Sequence, residues 1–395
     1  MTPPTPPAPT DTRGPWATLA VVVAATTLSL LPGFLIGTLS VTIRQEFGFG
    51  ETRLGLLILI YMGISAATSA PLGRVVERAG ALQGLRLSLL AVAVCCFGIA
   101  LTARSWWHLA VWLLFAGVGS AGVYPATNLA VVRRVVFSRQ GVTFGIKQAS
   151  IPAATFLAGL AVPFVDVVAG WRASFGIVGG LILIVVGVSG RAIGRVHGGA
   201  RRSVRTKLAM RPLLVLAFGV ALAVGGVQPI AVFVVPYAVD LGLSASAAGA
   251  ALAVASICGI VMRVLAGAGA DRWPHRDLFS TVAVYLVLGA GAMLLLASAR
   301  TMAVLSVALI GGIAIGWSWN GLFHFAVVRS NPDAPAAASG ITQAGLLAGV
   351  AVGPLAFGAV AEHLSFPLGW IGCAAAMAVG CGLLLTGGRM LHAQR

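Results

Sequence analysis

Two cations set inside long apolar runs, Lys147 and Arg263, are the residues of this chain with the most chemistry to explain. An ionisable side chain at membrane depth costs at least ~2.5–3.5 kcal/mol on insertion scales, so it is kept for a partner or a function. Lys147 lies about seven residues into its run, or ~10 Å along a helix. It can serve a central cavity or reach down to cytoplasmic water. Arg263 precedes Asp271 by ~12 Å on a helix, which places it toward the middle of its run. A planar guanidinium can grip a carboxylate bidentately, the alternative being a pairing with an acid at the cytoplasmic end.

The acids sharpen the chemistry. Asp11, Glu46, Glu51, Glu77, Asp166, Asp240, Asp271, Asp277, Asp333 and Glu362 all map to tails, loops or the ends of apolar runs. Carriers of organic cations and many proton antiporters place a carboxylate in the membrane core. Two core cations without a core acid favour an anionic ligand instead. Proton coupling would then use His324, whose unperturbed pKa of about 6.5 suits the task, or a proton carried with the anion. A packed, hydrogen-bonded histidine is the structural alternative.

Trp317, Asn320 and His324 stand at i, i+3 and i+7, one face of a helix. Trp319 and Phe323 add aromatic surface nearby, suited to the apolar body of an organic anion. Tyr124 and Asn128 offer a matching polar stripe in the first half, and Gln148 and Gln343 correspond in the same way. Each fits either ligand contact or hydrogen bonding between helices. Gln228 beside Pro229, like Pro32, marks a place where a helix can bend and free backbone groups.

These residues need a scaffold, and composition limits what it is. Of 395 residues, 58% are hydrophobic and 9% charged, against roughly 25% charged in a soluble domain. A soluble core is excluded. About 20 apolar residues cross the hydrocarbon, and twelve such runs fall at approximately 16–41, 52–72, 83–102, 107–132, 141–165, 172–190, 212–237, 245–269, 278–298, 302–327, 337–360 and 367–386. They are numbered spans 1 to 12 below. The six prolines among residues 1–15 predict an unstructured tail.

The net charge of +16 would suggest nucleic acid in a soluble chain. Here it reads as topology. With the N-terminus inside, five of the 26 Lys+Arg lie on the outer side (Arg44, Arg53, Arg104, Arg172, Arg300), Lys147 lies in a span, and the rest are cytoplasmic or at cytoplasmic span ends. Residues 191–211 carry seven basic residues without an acid and read as a cytoplasmic linker, which can also meet anionic lipid headgroups. The five cysteines show neither disulfide nor metal spacing, and no nucleophile-base pair, phosphate loop or cofactor motif is present.

The chain also repeats itself at about 195 residues. Ala130-Val131-Val132-Arg133 recurs as Ala326-Val327-Val328-Arg329, and Gly145-Ile146-Lys147-Gln148-Ala149 as Gly340-Ile341-Thr342-Gln343-Ala344. Gly73 with Glu77-Arg78 recurs as Gly267 with Asp271-Arg272. Two six-span halves, a basic linker and the glycine-acid-arginine signature after spans 2 and 8 resemble the major facilitator superfamily. The signature runs on to Gly80 but has Ala81 and Leu82 where the family carries basic residues. The arginine frequent within span 4 of the family's proton-driven exporters is absent from Trp112 to Gly119.

The resemblance implies an all-α integral membrane fold of two pseudo-symmetric six-helix bundles. The expected organisation is a proline-rich cytoplasmic tail over 1–15, bundles over 16–190 and 212–386, the linker 191–211 and a cytoplasmic tail over 387–395. It implies that Gly73, Glu77, Arg78, Gly267, Asp271 and Arg272 form a conformational latch. Span 8 resembles that of monocarboxylate-type carriers, where an arginine four residues before the glycine meets the substrate carboxylate; here that residue is Arg263. The expected protein is a monomer in the plasma membrane, neither an enzyme nor a metal or cofactor carrier. It moves a small organic anion by alternating access with proton symport, or alternatively exports a drug-like or metabolic compound.

Overall fold

The computed structural model describes residues 15–134, 146–193, 209–272, 277–331 and 335–393. The expected tail over 1–14 and most of the basic linker, 194–208, lie outside them. Among the described residues the chain is all helix, with twelve helices long and apolar enough to cross a membrane. They are Trp16–Thr38, Glu51–Ala79, Ala81–Thr102, Trp106–Val131, Ile146–Ala169, Trp171–Ile193, Met210–Asp240, Ala245–Gly269, Leu278–Ala297, Met302–Ser330, Ala338–His363 and Phe366–Leu391. Large apolar side chains such as Leu101, Phe164 and Val168 stand exposed on the outside of the bundle, as hydrocarbon-facing residues must.

Three differences from the expected spans have local causes. Span 1 stops at Thr38, and Ser40–Phe47 forms a separate short helix that ends at Gly48 in a left-handed conformation, φ 63°. Span 12 continues to His392, through the expected tail. Spans 2 and 3 are divided by Gly80 alone, whose φ of 86° and extended ψ favour glycine.

The short helix Ser40–Phe47 ties several spans together at one end of the molecule. Thr42 Oγ1 donates to Asp166 Oδ2 at 2.8 Å, and Arg44 pairs with Glu51 and donates to the Phe49 carbonyl at 2.9 Å. Glu46 accepts from both Nη groups of Arg172, at 2.8 and 2.7 Å, and from Trp171 Nε1. Those bonds, the Arg172 ones first, hold the Glu46 carboxyl below the usual carboxylate range.

At that same end the two halves meet backbone to backbone. A Cβ on Gly37 would lie 2.6 Å from Val232, one on Gly55 2.5 Å from the Pro354 carbonyl, and one on Gly358 2.4 Å from the Glu51 carbonyl. Spans 5 and 8 touch likewise at Gly159 and Gly249. At the opposite ends no such approach is seen among the described glycines. Gly267 and Gly340 have nothing within 4 Å of a built Cβ, and Gly73 meets only Pro125 of its own half at 3.7 Å.

Span 2 begins without a capping side chain of its own, since its N-cap is Gly50. Glu362, at the end of span 11, supplies one by accepting from the Thr52 amide at 2.6 Å. A Cβ on Gly50 would fall 2.4 Å from that carboxyl. Losing an N-cap acceptor typically costs ~1 kcal/mol. Glu362→Ala is therefore expected to weaken closure at this end, raising the reaction rate of a cysteine at the buried position Ala361 with a water-soluble maleimide by roughly fivefold. An unchanged rate would show that the cap does not hold the halves.

Candidate functional site

Lys147 and Arg263 both reach the interior. They are 3% and 8% exposed, and neither makes an ion pair among the described residues. The Lys147 ammonium donates to Asn128 Oδ1 of span 4 and sits 4.6 Å over the Tyr124 ring. Spans 4 and 5 therefore hold this charge by one amide oxygen and one π-face, contacts that leave it uncompensated.

Arg263 spends its guanidinium on two carbonyl groups. Nη1 donates to the Gln148 carbonyl at 2.7 Å and Nη2 to the Trp317 carbonyl at 3.0 Å, with the Trp317 ring 5.8 Å away. The first carbonyl is available for a reason written in the sequence. Residue 152, four on from Gln148, is a proline, so the helix has no amide for it. The second lies where span 10 departs from the α-helix: Gly311–Ile315 is π-helical, and Ser318 bonds back three residues to Ile315 before regular helix resumes at Asn320.

That irregular stretch modifies the expected face of span 10. Trp317 belongs to the turn rather than to the helix carrying Asn320 and His324, so ideal helical spacing does not relate the three. Trp317 packs edge-on to Phe34 of span 1 at 6.3 Å. Trp319 and Phe323 are fully buried and pack edge-on against each other. Trp319 Nε1 donates to the Gly316 carbonyl, as a buried indole requires.

His324 Nε2 donates to Gln343 Oε1 of span 11 at 2.5 Å. With that proton placed, Nδ1 of the neutral ring is an acceptor, and it is buried without a partner among the described residues. One helical turn earlier, Asn320 Oδ1 is also buried and unpartnered. Two acceptors on one helix face are thus open to a donor, from water or from a ligand.

The remaining expected residues divide. Tyr124 and Asn128 contact Lys147, Gln148 and Trp317 contact Arg263, and His324 and Gln343 pair with each other one turn from Asn320. Gln228 is buried at the break of span 7 between Val227 and Ile230. Thr342, the repeat partner of Lys147, bonds only into its own helix, to the Ala338 and Ser339 carbonyls.

Glu77, Arg78 and Arg272 are exposed at the end opposite the close glycine contacts and make no ion pair among the described residues. The side chain of Asp271 lies outside those residues. A Cβ on Gly73 would be in ordinary contact with Pro125, and one on Gly267 would meet nothing within 4 Å. Pro152 and Phe34 were missed from the sequence. The proline carried a signal, its position four residues after Gln148; Phe34 carried none.

A model of the Major Facilitator Superfamily matches residues 18–344. An MFS-type efflux pump of Mycolicibacterium smegmatis is 26% identical over 409 aligned residues, covering 95% of this chain and 90% of that protein. Two solved structures of a bacterial homologue of the human lysosomal transporter Spinster share the fold. The inward-facing, occupied form superposes with a TM-score of 0.70 and the unoccupied form with 0.69, each at 15% identity and 95% coverage of this chain, with 95% and 96% of those chains covered. Twelve apolar helices, the glycine-acid-arginine signature and the family match over most of the sequence together place the chain in the Major Facilitator Superfamily, as a multi-pass membrane transporter.

Proposed function

We propose that this protein is an alternating-access secondary transporter of a small organic anion that also carries a hydrogen-bond donor, with proton coupling. The observation that carries this reading is the pair of buried cations, Lys147 and Arg263, with no carboxylate opposite either among the described residues. A carboxylate supplies the missing charge, and Asn320 Oδ1 with His324 Nδ1 would accept from a hydroxyl or amide on the same molecule. His324 is the titratable group placed to follow the ligand's proton.

Basic residues gather at the span ends opposite the close glycine contacts, which supports a cytoplasm-facing opening and cytoplasmic termini in the plasma membrane. We expect the protein to act as a monomer. Export of a drug-like or metabolic compound is the second reading, favoured by the efflux pump at 26% identity.

Thermal stabilisation of the purified protein across a panel of hydroxycarboxylates, unsubstituted carboxylates, organic cations and neutral drugs separates the two. Hydroxycarboxylates are expected to raise Tm most, and in proteoliposomes an inward proton gradient is expected to drive their uptake. Stabilisation by cations or neutral drugs alone would overturn the anion reading in favour of export.

A further inference from the structure

The seam between span 5 of the first half and span 8 of the second runs antiparallel in even register. Gly159 meets Gly249 and Ala253, Pro152 meets Gly259 with a built Cβ 3.6 Å away, and Gln148 meets Arg263 through the 2.7 Å bond. One turn beyond Arg263, Gly267 has nothing within 4 Å. The Arg263–Gln148 bond is thus the contact of the seam nearest that end among the described residues. It exists because Pro152 removes the amide that would otherwise occupy the Gln148 carbonyl.

We infer that Pro152 is a positioning residue for the anion site, leaving the Gln148 carbonyl as a tie that an incoming anion must displace from Arg263. The inference rests on the anion reading above and deepens it. Arg263 and the Trp317 carbonyl belong to the same half and move together, whereas Gln148 belongs to the other. Trading a neutral carbonyl for a carboxylate is favourable, because the carboxylate brings the opposite charge and a second oxygen for a bidentate grip. Ligand binding therefore frees span 8 from span 5 at this polar contact, and this links occupancy to movement of the halves.

The test substitutes Pro152→Ala, which restores an amide able to bond Gln148 within span 5. Arg263→Lys is the companion variant, because an ammonium keeps the charge but cannot span both carbonyl groups in one plane. Spin labels at Arg74→Cys in span 2 and Gly340→Cys in span 11, on a cysteine-free background, report the separation of the halves in substrate-free protein. Both variants are expected to broaden that distance distribution. Pro152→Ala is further expected to lower KM for the transported anion roughly three- to tenfold while kcat falls, since Arg263 no longer shares its charge with Gln148.

Unchanged distances in both variants, or KM and kcat unchanged in Pro152→Ala, would overturn the tie. Broadened distances in a protein that no anion stabilises would uphold the tie between the halves and overturn the anion reading beneath it.

Discussion

Lys147→Thr and Arg263→Ala are each expected to weaken anion binding by roughly ten- to a hundredfold, the range for losing one hydrogen bond to a charged group. Lys147→Thr is the cleaner of the two. The repeat position in span 11 is already Thr342, whose hydroxyl is satisfied by carbonyl groups of its own helix, so a threonine belongs to this fold at that depth. Expression and Tm without ligand should therefore hold while the dissociation constant rises. Arg263→Ala also strands the Gln148 carbonyl, so some loss of stability should accompany its loss of affinity. Isothermal titration with the most stabilising carboxylate measures both, and wild-type affinity in both variants would remove the basis for an anion site.

The largest effect on the fold itself is expected from Gly349→Leu. Spans 7 and 11 of the second half approach along a strip in which Gly345, Gly349 and Gly353 face the carbonyl oxygens of Ala217, Ala221 and Gly225. A Cβ at these positions would lie 2.0, 2.2 and 2.4 Å from those oxygens. The obstruction is backbone, which no rotamer change relieves, so the helices must separate and lose packing along the whole strip. In lipid, where close packing is a main force between helices, the penalty is expected to reach ~3 kcal/mol or more. Gly267→Ala is the matched control, because a Cβ there meets nothing within 4 Å. Thermal unfolding in detergent should show Gly349→Leu strongly destabilised and Gly267→Ala within ~0.5 kcal/mol of wild type. Equal effects would mean the strip is not closely packed.

The spans were legible because the bilayer leaves a chain few options. Backbone groups in hydrocarbon must be satisfied within each helix, so about 20 apolar residues identify a crossing whatever lies beside it. Lys147 and Arg263 were legible for a related reason: a charge in an apolar run is costly enough to stand out in one dimension. Regular helical geometry failed at span 10, where Gly311, Gly312 and Gly316 permit a π-turn and close contacts with Ile230 and Gly289. Trp317 and Trp319 lie in the turn that follows this stretch, outside the regular helix that starts at Asn320.

Contacts between distant residues escaped the sequence altogether. Glu362 caps span 2 across 310 residues of chain, and nothing in its own surroundings names Thr52 as the partner. Gln148 was singled out for its side chain, yet its carbonyl is what Arg263 grips. By itself the sequence determined the membrane class, the twelve crossings, the duplication and the two unpaired cations, because each follows from local hydrophobicity or from self-comparison. Only the tertiary structure decided which end of the molecule is closed, which carbonyl groups hold Arg263, and which aromatic rings are accessible. Those properties depend on how helices far apart in the chain lie against one another, and no periodicity within a single helix encodes that.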